Sequence, residues 1–123
     1  MVNGSRVATA SDLDRLFGAL ANEHRREMVY LLALQPNSIS RLAATRGLSL
    51  PAMNKHVRVL EEAGLVTRRK LGRTTFLALD RSAIRGLQEW LARYHAYWGN
   101  EKETLENYER YLAMDPTNAK EKR

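Results

Sequence analysis

The sequence predicts a mainly helical fold of six helices, with a two-stranded β-wing inserted after the fourth. Three observations predict it. Apolar residues recur at helical spacing in six segments. The third and fourth of these are joined by the tight turn Arg46-Gly47-Leu48. Two short runs around Leu71-Gly72-Arg73, the second rich in Thr and Phe, then read as a hairpin. The chain has 123 residues, 44% of them hydrophobic. That amount suits one modest core, expected over residues 11–114 as a single domain. Residues 1–10 read as a flexible arm and 115–123 as a flexible tail, since neither follows a period.

Each element has its local signals. Ser11 precedes Asp14 by three, resembling a capping box, and Leu13, Leu16, Phe17 and Leu20 then form one helical face. Asn22 caps a second helix from Glu23 to Leu34 that buries Met28, Val29, Leu31 and Leu32; Gln35-Pro36-Asn37 ends it. Ser38 caps a short helix to Thr45, with Ile39, Leu42 and Ala43 inward. Ser49 caps the fourth helix, and Pro51 sits in its first turn, where a missing N–H costs nothing. That helix runs to Ala63, and Gly64 closes it. The hairpin follows, as Leu65–Lys70 and Thr74–Leu79. Asp80 caps a long helix to Trp98, on which Ile84, Leu87, Leu91, Tyr94 and Trp98 step by three and four. Gly99 interrupts, and Asn100 with Glu103 starts a last helix with Leu105, Tyr108 and Leu112 inward.

Charge narrows the function. The net charge is +6. Eight basic residues but only Glu61 and Glu62 lie between Ser38 and Leu79; elsewhere twelve basic residues meet twelve acidic ones. A basic block between neutral flanks indicates a polyanion-facing surface, and its plain alternative is a solvated face. With no cysteine, disulfides, thiolate metal sites and a cysteine nucleophile are excluded. Met1–Ala10 holds no signal-like apolar stretch, and no run reaches membrane-spanning length, so a cytoplasmic protein with no membrane partner is expected. No phosphate-cradling glycine loop and no nucleophile–base signature argues for an enzyme.

Two helices joined by a glycine turn and followed at once by a basic hairpin are the plan of a winged helix-turn-helix, whose second helix enters the DNA major groove. On the fourth helix Met53, Val57 and Leu60 share one side, and Pro51, Lys55 and Arg58 lie roughly opposite. Asn54 sits on one flank; His56 is on the other, nearer the core. Asn54 and Lys55 suit base edges, as Asn pairs with adenine and Lys donates to guanine. Arg58 suits a phosphate, and so does the helix N-terminus at Ser49. Arg68, Arg69, Lys70 and Arg73 give the hairpin cations that displace counterions from DNA. Ser38 and Ser40, at the start of the third helix, complete the expected DNA-binding set.

Leu48 to Val66, with Ser49-Leu50-Pro51-Ala52-Met53-Asn54-Lys55-His56, resembles the recognition helix of ArsR-type repressors. So do Ala19-Leu20-Ala21-Asn22 leading into His24-Arg25-Arg26, and the hairpin with Gly72-Arg73. The likeness covers Leu13 to Trp98. It implies a bacterial repressor that is a homodimer held by its first and last helices, binding double-stranded DNA at an operator. A dimer places two reading helices about 34–36 Å apart and so calls for an inverted repeat. The dimer face is expected to use Leu13, Leu16, Phe17, Ile84, Leu87, Leu91, Tyr94 and Trp98. The resemblance also implies that Pro51, Asn54, Lys55 and His56 face DNA. Leu50 stands where many members carry glutamine, and an apolar residue there can touch a thymine methyl.

Metal sensing, the family's best-known activity, does not carry over. A common carboxylate–histidine site would fall on Asp80, Ser82, Arg93 and Ala96, which cannot complete it. His24 and His95 read as ordinary structural or surface histidines, with metal binding the minor alternative, so no metal, cofactor or inducer is named. Six of the nine aromatic residues fall between Trp90 and Tyr111; they read as packing at a dimer core, and an apolar ligand pocket is the sharper alternative. The competing function keeps the fold but makes it a protein-interaction adaptor, its basic face meeting an acidic partner.

Overall fold

The computed structural model describes residues 9–98 and 101–114, the side chains of 95–98 and 101 excepted. The elements run α1 (Ala10–Leu20), α2 (Glu23–Leu34), β1 (Asn37–Ser38), α3 (Ile39–Arg46), α4 (Leu50–Glu62), β2 (Val66–Leu71), β3 (Thr74–Leu79), α5 (Arg81–Trp98) and α6 (Glu101–Met114). The chain divides into two compact units, Met1–Leu87 and Gln88–Arg123. The proposed arm up to residue 8 and the tail from 115 lie outside the described residues. No described helix is long and apolar enough to cross a membrane.

The caps follow the sequence closely, with one shift. Thr9, not Ser11, begins α1: its hydroxyl accepts from the Asp12 N–H and its own N–H donates to Asp12 Oδ2, both at 3.0 Å. Thr9/Asp12 and Ser11/Asp14 share one spacing, so sequence cannot separate them; the earlier box lengthens the helix by a turn's fraction and takes in Ala10, assigned to the arm. Asn22, Ser38 and Ser49 cap α2, α3 and α4 through side-chain oxygens that accept from the N–H three residues on. Asp80 Oδ1 accepts from the Ser82 N–H at 3.0 Å and so opens α5. Gly47 ends α3 at φ 67°, a left-handed conformation that L side chains adopt at a cost.

The wing contains a strand more than expected. β1 pairs with β3 through Asn37↔Leu77 and Ser38↔Phe76, giving a three-stranded antiparallel sheet ordered β1-β3-β2. Gln35 is extended, which leads the chain out of α2 and alongside β3. Two residues are too few to leave a period-two pattern in the sequence. β2 and β3 pair from Val66↔Leu79 to Leu71↔Thr74, so the loop is only Gly72-Arg73 and Leu71 belongs to a strand. Gly72 takes φ 63° at the first loop position, as tight hairpin turns require.

Within the first unit one core joins α1 to α4 and the inner side of the sheet. Met28, Leu42, Met53, Val57, Leu60, Leu65 and Leu77 are fully buried, and Ile84 and Leu87 of α5 pack against them. Leu16, expected at a dimer face, is 3% exposed in this core, whereas Phe17 beside it is 44% exposed. Helical spacing marks the buried side of a helix without saying whether the same chain or a second copy covers it. In the second unit Trp90 and Tyr94 meet edge to face at 4.8 Å, and Leu91 and Tyr94 are exposed. Leu105 and Tyr108, expected inward, are exposed as well, and Tyr108 stacks on Tyr111; Leu112 is half-buried. The Trp98 and His95 side chains lie outside the described residues.

Candidate nucleic-acid interface

α4 is set by its apolar stripe. Met53, Val57 and Leu60 are fully buried, and this fixes the rotation of the helix about its axis. Pro51, Lys55 and Arg58 are consequently exposed, Asn54 is half-buried on the flank, and Leu50 is 47% exposed at the helix start. The Ser49 hydroxyl accepts from the Ala52 N–H at 3.2 Å and its carbonyl from the Met53 N–H at 2.9 Å; Pro51 has no N–H, which leaves that of Leu50 as the remaining donor of the first turn. Ser38 is likewise engaged as the α3 cap, with Ser40 exposed beyond it.

The wing cations split between two faces. Alternation puts Arg68 and Lys70 on the side of buried Val66, and Arg69 on the other with Thr67 and Leu71. Arg68 forks onto Glu61 of α4, Nη2 to Oε1 at 2.8 Å and Nε to Oε2 at 3.3 Å. This bidentate pair ties the wing root to the reading helix and takes Arg68 out of the set of free cations. Arg69, Lys70 and Arg73 are exposed. The acid-free hairpin is therefore attached beside α4, and its cations and those of Lys55 and Arg58 lie on adjoining elements.

His56 does something different from its neighbours. It is half-buried, and its Nδ1 accepts from Arg25 Nη1 at 3.2 Å, since a guanidinium only donates. The same Arg25 donates from Nε to the Ala19 carbonyl at 2.6 Å and from Nη2 to the Gly18 carbonyl at 3.4 Å, the last turn of α1. His24 lies 5.5 Å from His56, ring centre to ring centre, and its own Nδ1 accepts from Arg46 Nε at 3.1 Å. Burial, then Arg25, then His24 hold the His56 pKa below its ordinary 6.5, because each disfavours a second proton on the ring. The half-burial of His56 and its bond to Arg25 fit the side of α4 that periodicity gave it, nearer the core. Sequence reasoning missed Arg25 and Arg46 as partners. They reach across 31 and 22 positions, where no local pattern signals a contact.

Comparison with known proteins places this arrangement. A family described as a helix-turn-helix domain matches residues 20–69. The HTH-type transcriptional regulator Rv2034 of Mycobacterium tuberculosis is 34% identical over 88 residues, which are 72% of this chain and 82% of that protein. An ArsR-like transcriptional regulator from Rhodococcus sp. RHA1 superposes with a TM-score of 0.68 at 28% identity, over 83% of this chain and 96% of the other. The homodimeric winged helix-turn-helix DNA-binding domain of Mb0332 from Mycobacterium bovis, a possible ArsR-family regulator, gives 0.57 at 25% identity, over 70% and 82%.

Proposed function

This chain belongs to the ArsR family of winged helix-turn-helix transcriptional regulators, and on that premise we propose that it is a cytoplasmic homodimer that represses transcription by occupying an inverted-repeat operator. One observation carries the reading: α4 is locked by three fully buried residues so that Lys55, Arg58 and Pro51 face outward beside an acid-free hairpin. Asn54 and Lys55 read base edges, Arg58 and the Leu50 N–H at the helix start hold phosphates, and Arg69, Lys70 and Arg73 grip the backbone next to the groove. His56 acts from behind, by fixing α4 rather than by touching a base. Ser38 serves chiefly as a cap, and Leu50 offers an apolar contact to a thymine methyl. For the dimer, Phe17 of the first unit and Leu91 and Tyr94 of the second supply exposed apolar surface, and Mb0332 being homodimeric supports the assembly.

The test is to incubate the protein with sheared genomic DNA at moderate salt, recover what is bound and sequence it. Enrichment of fragments with two half-sites about one helical turn apart is expected, together with raised expression of the adjoining gene when the regulator is deleted. Uniform recovery of all fragments would point to the adaptor reading, and lowered expression would replace repression with activation.

A further inference from the structure

The outer face of the wing holds an open groove of about 370 Å³, walled by Pro36, Thr67, Arg69, Leu71, Phe76 and Ala78. β1 forms its edge, because Ser38 pairs with Phe76 and brings Pro36 alongside. Leu71 is 52% exposed there, and Phe76 is half-buried. The volume is within the range of small-molecule sites, ~300–1,000 Å³. We propose that this groove binds a small apolar carboxylate, its ring against Phe76 and Leu71 and its anionic head on Arg69.

The charge argues for that chemistry. No acidic residue occurs from Ala63 to Leu79. Arg68 spends its guanidinium on Glu61, but Arg69 projects to the opposite side, beside apolar walls. A guanidinium fork receives a carboxylate bidentately. A neutral hydrocarbon covers Leu71 and Phe76 but leaves that fork unused, and a free phosphate does the reverse. An amphiphile satisfies both. The consequence rests on the DNA-binding reading above: Arg69 is a hairpin cation, so a seated carboxylate removes one phosphate contact per protomer and makes the groove an inducer site.

The probe is 2-naphthoate, with 2-naphthamide and inorganic phosphate as comparisons, added to the full-length 15N-labelled chain. Amide shifts confined to Thr67–Ala78 and to Asn37–Ser38 are expected, with a dissociation constant on the order of 1 mM. Naphthamide and phosphate should bind about tenfold more weakly, and Arg69→Gln and Leu71→Ser, both at exposed positions, should each cost about tenfold while the thermal melt stays put. Shifts centred elsewhere, absence of saturation, or unaltered binding to Arg69→Gln overturns the site. In a second arm, saturating naphthoate should weaken binding to genomic fragments about tenfold and flatten the log–log salt slope by ~2, with Arg69→Gln insensitive. Naphthoate seated in the groove without effect on DNA overturns the inducer role. A chain that binds no DNA even without naphthoate overturns the proposed function, and the first arm still decides the site.

Discussion

Lys55 and Arg69 are both exposed cations, yet their positions assign them different work. Lys55 sits on the outward side of α4, in its second turn. Lys55→Ala should cost roughly 1–3 kcal/mol on the preferred sequence and little on random DNA, and Arg69→Ala should weaken binding to both alike. Paired titrations decide it, and equal losses for Lys55→Ala would remove its base-reading role. His56 predicts a pH effect. Its folded pKa lies below 6.5, so on acidification the unfolded chain takes up the proton first, and stability falls as pH drops from about 6.5 through the folded value. His56→Gln, whose amide oxygen can still accept from Arg25, should flatten that slope in urea titrations at pH 5 to 7; an undiminished slope would assign it to other groups. At this scale the sequence spoke through periodicity. It placed Met53, Val57, Leu60, Lys55 and Arg58 on their sides of α4, and it was silent on Arg25, whose partners are close only after folding.

The helices owe their starts to short polar side chains, and the cost of losing one is measurable. Ser49→Ala should destabilise the chain by about 1 kcal/mol and Ser49→Gly by only a few tenths, read from denaturant midpoints. Equal effects would show that the hydroxyl does not carry the cap. Such caps lie within four residues of what they satisfy, which is why Asn22, Ser38, Ser49 and Asp80 were all legible. The same logic failed at α1 because two equivalent boxes stand two residues apart. The hairpin was legible from Gly72 and the Thr-rich run. Strand β1 was not, since a two-residue rung is defined by its partner and not by its own side chains.

For the whole molecule, the concentration of charge between Ser38 and Leu79 turns into a salt dependence. If a dimer neutralises ~8 phosphates, log K should fall against log salt with a slope of about −7; a slope near zero would remove the polyanion assignment. Leu91 is 59% exposed, so Leu91→Glu should leave the fold intact while turning a dimer into a monomer by light scattering. An unchanged mass would exclude this residue from the interface. The apolar stripe of α5 was legible as a stripe. What covers it was not, because periodicity identifies a surface that avoids water without identifying its occupant. Leu16, Leu105 and Tyr108 carry the same lesson in opposite directions, the first inside its own chain and the other two outside.

Arg25 has a mechanical meaning. One flat, rigid group grips the tail of α1 with one edge and the midpoint of α4 with another. The first helix and the reading helix are thus joined by a short polar link beside the close-packed hydrocarbon between them. A lysine at this place would lack the planar fork that presents separate edges to the two helices.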